Sequence, residues 1–244
     1  MTRASGTGNS SDVEQARRTT LDSTAVPDFA ARAVARVLAE AVRARGRATL
    51  ALSGGTTPRA MHESLALISG VAWDSIDVYF GDERCVPPDH PDSNYRMAKE
   101  SLFDRVAIPG ERIHRPEAEL RDRNAAALAY EKILPPALDL VVLGIGEDGH
   151  TASLFPGSPA LDPSERRCVA VIGPKPPPER LSLTPRALSD ARLLLMLASG
   201  AGKAEAVARA LEGEWDPRKT PAQLARRGEW ILDRAAAVML RRQD

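Results

Sequence analysis

The stretch Asp139-Leu140-Val141-Val142-Leu143-Gly144-Ile145-Gly146-Glu147-Asp148-Gly149-His150-Thr151-Ala152-Ser153-Leu154-Phe155-Pro156 decides the fold. Its first half is a continuous apolar run with no polar alternation. That is the pattern of a strand buried on both faces, in a parallel sheet covered by helices. Three glycines open the backbone where the strand ends, and Asp148 and His150 come with them. In open α/β sheets ligands sit beyond the carboxyl ends of the strands. A histidine two residues after a carboxylate therefore stands where chemistry is expected. A glycine-rich turn whose polar residues only cap the next segment fits the same position and composition.

Upstream, residues 1 to about 20 are polar, Gly/Ser-rich and aperiodic, and are expected to form a flexible tail. From Val26 to Arg45 apolar residues recur at helical spacing, and Gly46 closes the helix. Ala48-Thr49-Leu50-Ala51-Leu52 reads as a strand running into Ser53-Gly54-Gly55-Thr56-Thr57-Pro58. Thr57 is placed to cap the following helix and Pro58 suits its first position. A strand, a glycine loop and a helix start gather free N–H groups and the positive end of a helix dipole, which bind phosphate. A tight turn without a ligand is the alternative. Ile76–Phe80 is the next strand, with Asp82-Glu83-Arg84 at its carboxyl end in a loop held by prolines. The motif Ser93-Asn94-Tyr95-Arg96 then leads into a helix carrying Met97, Leu102 and Val106. Arg112-Ile113-His114 reads as a short strand and Asp122–Leu134 as a helix.

Downstream of Phe155 the chain is Pro-rich. Cys168–Ile172 reads as a strand and Pro174–Arg180 as an extended loop presenting Lys175 and Arg180, since its prolines suit neither helix nor ladder. Extended structure resumes at Leu181–Thr184, and a short helix spans Pro185–Asp190. Leu193–Leu197 is a buried strand ending in Ser199-Gly200-Ala201-Gly202-Lys203. A lysine in the first turn of the next helix (Ala204–Leu211) opposes the helix dipole unless an anion sits between them. The last strand is read at Ala237-Val238-Met239-Leu240 after a short helix. Strands separated by helices indicate a doubly wound, mainly parallel Rossmann-like α/β sheet with helices on both faces, in one domain over residues 21–244.

The 33 basic and 33 acidic residues cancel, so no global field points to nucleic acid or a membrane surface. Cys85 and Cys168 lie far apart without a CxxC pair, which fits reduced thiols in the cytoplasm and no metal site. No apolar run of about 18 residues spans a membrane, and no signal-peptide core opens the chain. The GxGxxG match at Gly144, Gly146 and Gly149 is a weak dinucleotide signal, because Pro156 and Pro159 stop the long helix such a unit requires. Four loops at strand ends, Ser53–Thr57, Asp82–Arg84, Gly144–His150 and Ser199–Lys203, can converge on one sheet edge. They combine a phosphate cradle with a histidine near carboxylates, which fits general-base catalysis on a phosphorylated small molecule.

Five segments carry a resemblance. SGGTTP, GDERCVP with SNYRM, GIGEDGHTASLFPGS, PKPPPERLSLT and SGAGKAEAV occur in the order and at spacings similar to those of 6-phosphogluconolactonases, from about Arg47 to the end. The resemblance implies hydrolysis of 6-phospho-D-glucono-1,5-lactone in the pentose phosphate pathway, with no cofactor and no metal. It implies His150 as the base, Asp148 and Asp82 as carboxylates that orient and tune it, and Arg84 as a substrate or phosphate anchor. Ser53, Gly54, Gly55, Thr56 and Lys203 are implied as the phosphate site, with Arg180 a further binding residue. The partner implied is a phosphorylated sugar lactone, with no nucleic acid and no membrane, for a monomer ahead of a dimer. The related glucosamine-6-phosphate deaminases read GHIAFNEP where this chain reads His150–Pro156. Their ring-opening glutamate, five residues past the histidine, is Phe155 here, and an apolar ring carries no proton. A non-catalytic sugar-phosphate sensor of this fold would keep the phosphate loop without needing His150 and Asp148.

Overall fold

In the computed structural model, residues 17–162 and 164–241 are described. The strands and helices along them are, in order, β1 (Arg17–Leu21), α1 (Val26–Arg45), β2 (Ala48–Leu52), α2 (Thr56–Leu65), β3 (Ile76–Phe80), β4 (Asp82–Arg84), α3 (Asn94–Ser101), α4 (Arg123–Ile133), β5 (Leu140–Gly144), β6 (Cys168–Ile172), β7 (Glu179–Leu183), α5 (Pro185–Asp190), β8 (Leu193–Ala198), α6 (Ala204–Glu212) and β9 (Glu229–Asp233). The main sheet has the order β1-β9-β8-β5-β2-β3, and every neighbouring pair is parallel. Its carboxyl ends therefore share one edge. From β2 the chain steps outward to β3, then returns to the other side of β2 with β5 and continues outward. That reversal opens a crevice beyond β2 and β5, where α/β sheets bind ligands.

Both faces of the sheet are covered, and strand pleating explains how. Leu50 and Leu52 of β2 pack on one side with Val34 and Leu38 of α1, Met61 and Leu65 of α2 and Ala98 of α3. Ala51, between them, points to the other side, among Tyr130 of α4, Leu188 of α5 and Val207 of α6. Successive side chains of a strand face opposite ways, so a strand covered twice is apolar at every position. Residues 140–143 (Leu-Val-Val-Leu) are all fully buried. At about 25 cal/mol per Å², each such side chain contributes roughly 1.5–3 kcal/mol. At the amino-terminal edge Asp139 locks β5 to β2, accepting from the Thr49 N–H at 2.9 Å and pairing with Arg45 and Arg192.

A second sheet, β4-β7-β6, is antiparallel and was not anticipated from the sequence. The chain leaves the main sheet at Gly81, whose carbonyl accepts from the Leu183 N–H, and β4 pairs with β7. Asp82–Arg84 is thus a strand rather than a loop, and Glu179 and Arg180 are strand rather than the end of an extended loop.

Other expectations shift as well. The expected tail cannot reach residue 20, because Arg17–Leu21 pairs in parallel with β9; residues 1–16 lie outside the described residues. The last strand is Glu229–Asp233, and 237–240 are turn with Val238 and Met239 exposed. Trp230, Ile231 and Leu232 supply the buried run, and the Asp233 carboxylate takes the Ala236 N–H just beyond it. Thr57 makes no cap: Gly55 occupies the cap position of α2, at φ 108°. Val106 falls beyond α3, and Ile113 makes one parallel bridge to Val78 rather than a strand.

Candidate active site

The carboxyl edge holds a cavity of about 200 Å³ lined by Ser53, Gly54 and Gly55 after β2, Asp82 and Arg84 of β4, Gly144, Gly146 and His150 after β5, Arg180 of β7 and Lys203 before α6. All four anticipated loops meet there, at the crevice where the strand order reverses. Arg180 arrives by a route the sequence does not show, as the register partner of Arg84 across β4 and β7. Thr56 lies on an adjoining hollow that shares Gly55, Arg84 and Asn94 with the cleft.

His150 is held from behind. Its Nδ1 lies 2.6 Å from Asp148 Oδ1, and its backbone N–H donates to the same oxygen at 3.1 Å. An ionised carboxylate only accepts, so Nδ1 carries the hydrogen, and in the neutral imidazole Nε2 is the nitrogen with the lone pair. Burial alone would raise the Asp148 carboxyl, but the hydrogen bonds from the His150 side chain and backbone hold it down at about 2. The glycines serve this histidine. A Cβ on Gly146 would lie 2.0 Å from His150 Nδ1, and Gly149 turns the loop at φ 91°. Dinucleotide glycines instead admit a pyrophosphate beside a helix start, and β5 is followed here by turn. Phe155 sits between two cleft residues, its ring 4.8 Å from that of His150 and 5.8 Å from the Arg180 guanidinium.

Asp82 does not orient His150 as anticipated. Its Oδ2 accepts from the buried Ser153 hydroxyl at 2.6 Å and its Oδ1 from Asn94 Nδ2 at 3.1 Å. Among the described residues no hydrogen bond joins it to the imidazole, whose carboxylate partner is Asp148. Ser153 is brought inward by a turn that puts Ala152 at φ 48°, a left-handed conformation that costs a non-glycine residue about 1 kcal/mol. Asn94 and Ser153 were missed as site residues although both stand inside quoted motifs. Nothing in a helix-starting asparagine or a turn serine announces a carboxylate partner 12 or 71 residues away.

Glu83, beside Asp82, faces away from the cleft and is 3 % exposed. Its carboxylate accepts the backbone N–H groups of Arg84, Asn94 and Tyr95, the last two being the first residues of α3. Burial pushes its carboxyl up despite those bonds. The effect is to seat Asn94 against Gly54, where a Cβ would lie 1.9 Å from the amide oxygen.

Cations gather opposite these carboxylates. Arg84 donates to the Asp92 carbonyl at 2.6 Å, leaving its buried Nε without a partner. Burial lowers the Arg180 guanidinium below its usual value, and the Asp82 charge opposes that shift. Lys203 ends a 3₁₀ turn, Ala201–Lys203, and takes the cap position of α6, one residue ahead of its expected place in the helix. The start of α2 has no side-chain cap, and the first N–H groups of a helix have no intrahelical acceptor. Glycine loop and lysine line the same cavity beside that helix start, which brings free N–H groups and a positive charge together. Among the described residues no cluster of His, Cys, Asp and Glu has the arrangement of a metal site.

The sequence profile describing glucosamine-6-phosphate isomerases and 6-phosphogluconolactonase matches residues 21–232. The 6-phosphogluconolactonase of Synechocystis sp. is 40 % identical over 217 residues, covering 84 % of this chain and 89 % of that one. The 6-phosphogluconolactonase of Mycobacterium tuberculosis is 41 % identical over 218 residues, covering 82 % and 88 %. The solved 6-phosphogluconolactonase from Trypanosoma cruzi superposes with a TM-score of 0.82 at 26 % identity, over 93 % of this chain and 97 % of that one. A monomeric glucosamine-6-phosphate deaminase superposes with the same score at 22 % identity, which is a likeness of fold alone. The chain belongs to the family of glucosamine-6-phosphate isomerases and 6-phosphogluconolactonases.

Proposed function

We infer that this chain is a 6-phosphogluconolactonase, a hydrolase that opens 6-phospho-D-glucono-1,5-lactone to 6-phosphogluconate in the pentose phosphate pathway. One observation carries the chemistry. A carboxylate-held imidazole lines the same cleft as Arg84, Arg180 and Lys203.

His150 Nε2 takes a proton from water as the water oxygen bonds to the lactone carbonyl carbon. Asp148 stabilises the imidazolium that forms. The carbonyl oxygen gains negative charge and faces Arg84 or backbone N–H groups of the cleft. As the ring C–O bond breaks, the imidazolium returns its proton to the departing ring oxygen. The products are a hydroxyl and a carboxylic acid, which ionises. The phosphate lies remote from the reacting carbon, on Lys203 and the Ser53–Thr56 loop, and its binding energy positions the ring. Asp82, with both oxygens already held, presents a fixed acceptor for substrate hydroxyls. Phe155 supports this branch of the family, since a deaminase needs an ionisable group at that place. The chain's two free thiols support a reducing, cytoplasmic setting.

The test is a rapid lactone-hydrolysis assay at mildly acidic pH, with spontaneous opening subtracted. Wild type should accelerate opening, and His150→Ala should lose about 10²–10⁴-fold in kcat with KM nearly unchanged. No acceleration by wild type would overturn the function. A fully active His150→Ala would remove the imidazole from the reaction.

A further inference from the structure

Asp233 is 4 % exposed at the carboxyl end of β9, next to the loop that carries Lys203. A buried carboxylate is costly unless its oxygens are hydrogen-bonded. Here each oxygen accepts one backbone N–H: Oδ2 that of Gly200 at 2.9 Å, and Oδ1 that of Ala236 at 2.7 Å. Among the described residues no cationic side chain pairs with it.

Gly200 is where β8 hands over to the lysine loop. It adopts φ 96°, a conformation suited to glycine, and its carbonyl accepts the Lys203 N–H at 3.0 Å. The same loop rests on the histidine loop at its other side, where a Cβ on Gly202 would come within 2.9 Å of Glu147 Oε1. Lys203 is thus the end of a one-turn arm. Glu147 is packed against the middle of that arm, and Asp233 holds its base.

We propose that Asp233 is a positioning residue for substrate phosphate: it fixes the Gly200–Lys203 arm so that the ammonium meets the anion, a role that rests on Lys203 binding phosphate as given above. Neither an amide nor a smaller side chain replaces it. The two backbone donors need two acceptors, and an asparagine offers one acceptor and sets an N–H against the other donor.

The role separates from plain stability by substrate. The wild type, Asp233→Asn, Lys203→Ala and the double variant are assayed on 6-phosphogluconolactone and on unphosphorylated glucono-1,5-lactone. Asp233→Asn should raise KM for the phosphorylated lactone by roughly threefold to tenfold, the ratio one weakened hydrogen bond supports. Its kcat, and its kinetics on the unphosphorylated lactone, should stay within about twofold. The double variant should be no worse than Lys203→Ala, because both changes remove one interaction. Should Asp233→Asn not fold, Gly200→Ala strains the same turn with Asp233 in place and should show the same selective rise. Equal losses on both lactones, or losses that add to those of Lys203→Ala, would overturn the proposal. A wild type inactive on the lactone, or a Lys203→Ala variant that prefers the phosphorylated substrate as strongly as wild type does, would instead overturn the function it rests on.

Discussion

Two Asp–His pairs occupy opposite edges of one parallel sheet. At the carboxyl edge Asp148 Oδ1 lies 2.6 Å from His150 Nδ1; at the amino edge Asp77 Oδ1 lies 2.9 Å from His114 Nε2. Side-chain exposures are similar, 33 % for His150 and 26 % for His114. Their surroundings differ. Asp77 also takes Arg112 Nη1, and the His114 ring stacks on Tyr79 with centroids 4.6 Å apart. Burial acting alone would raise the Asp77 carboxyl, and the His114 and Arg112 bonds bring it below its ordinary value. That pair ties a strand start to a loop. The other leaves one nitrogen with its lone pair on a cleft rimmed by cations. The two pairs differ in what surrounds the second nitrogen and in how many partners share the carboxylate.

The sharpest way to break this contrast is to neutralise each aspartate. Asp148→Asn should lower kcat by about 10²-fold or more, since an amide can stabilise the wrong tautomer and not the imidazolium. Asp77→Asn should leave kcat alone and lower the melting temperature. Equal kinetic effects would mean the edge of the sheet does not decide the role.

A third histidine sharpens the comparison through pH. His62 is fully buried on α2, with Nδ1 3.1 Å from Ser101 Oγ, and desolvation lowers its pKa to about 3. The folded state keeps this ring neutral while the unfolded chain protonates it near 6.5. The unfolded state therefore binds the extra proton, and stability falls as pH drops from 6.5 towards 3 and is flat below. Between pH 7 and pH 5 the loss from this one group should be about 2 kcal/mol. His62→Leu should flatten that limb in denaturant titrations across the range; an unchanged slope would remove His62 as its origin. Smallest of all, His114→Gln should cost about 1 kcal/mol of stability, with no change in the pH–rate profile.

Legibility follows the range of each interaction. The α1 helix, β2, β3 and β5 could be read because burial on both faces, helical periodicity and the Gly46 stop are local patterns. Ser53–Gly55, His150 and Lys203 could be read because each stands at a strand end beside glycines. The last strand lies at Glu229–Asp233 instead of the expected 237–240, since both are short apolar runs and only sheet pairing distinguishes them. Asp82 and Glu83, adjacent in sequence, part company because one side chain meets Asn94 and Ser153 in the cleft while the other caps α3. No local signal separates two neighbouring carboxylates.

The amino-acid order by itself determined a doubly wound sheet, the loops that line the cavity at its carboxyl edge, and the histidine and lysine at two of them. Those follow from burial period, turn chemistry and helix-end electrostatics, which act over a few residues. Only the tertiary structure decided that β4 pairs with β7 and so draws Arg180 into the cleft, that Ser153 and Asn94 hold Asp82, and that Asp233 reaches Gly200. Each of these joins residues far apart in the chain, and the register of two strands or the packing of two loops is set by the whole core, not by the residues that meet.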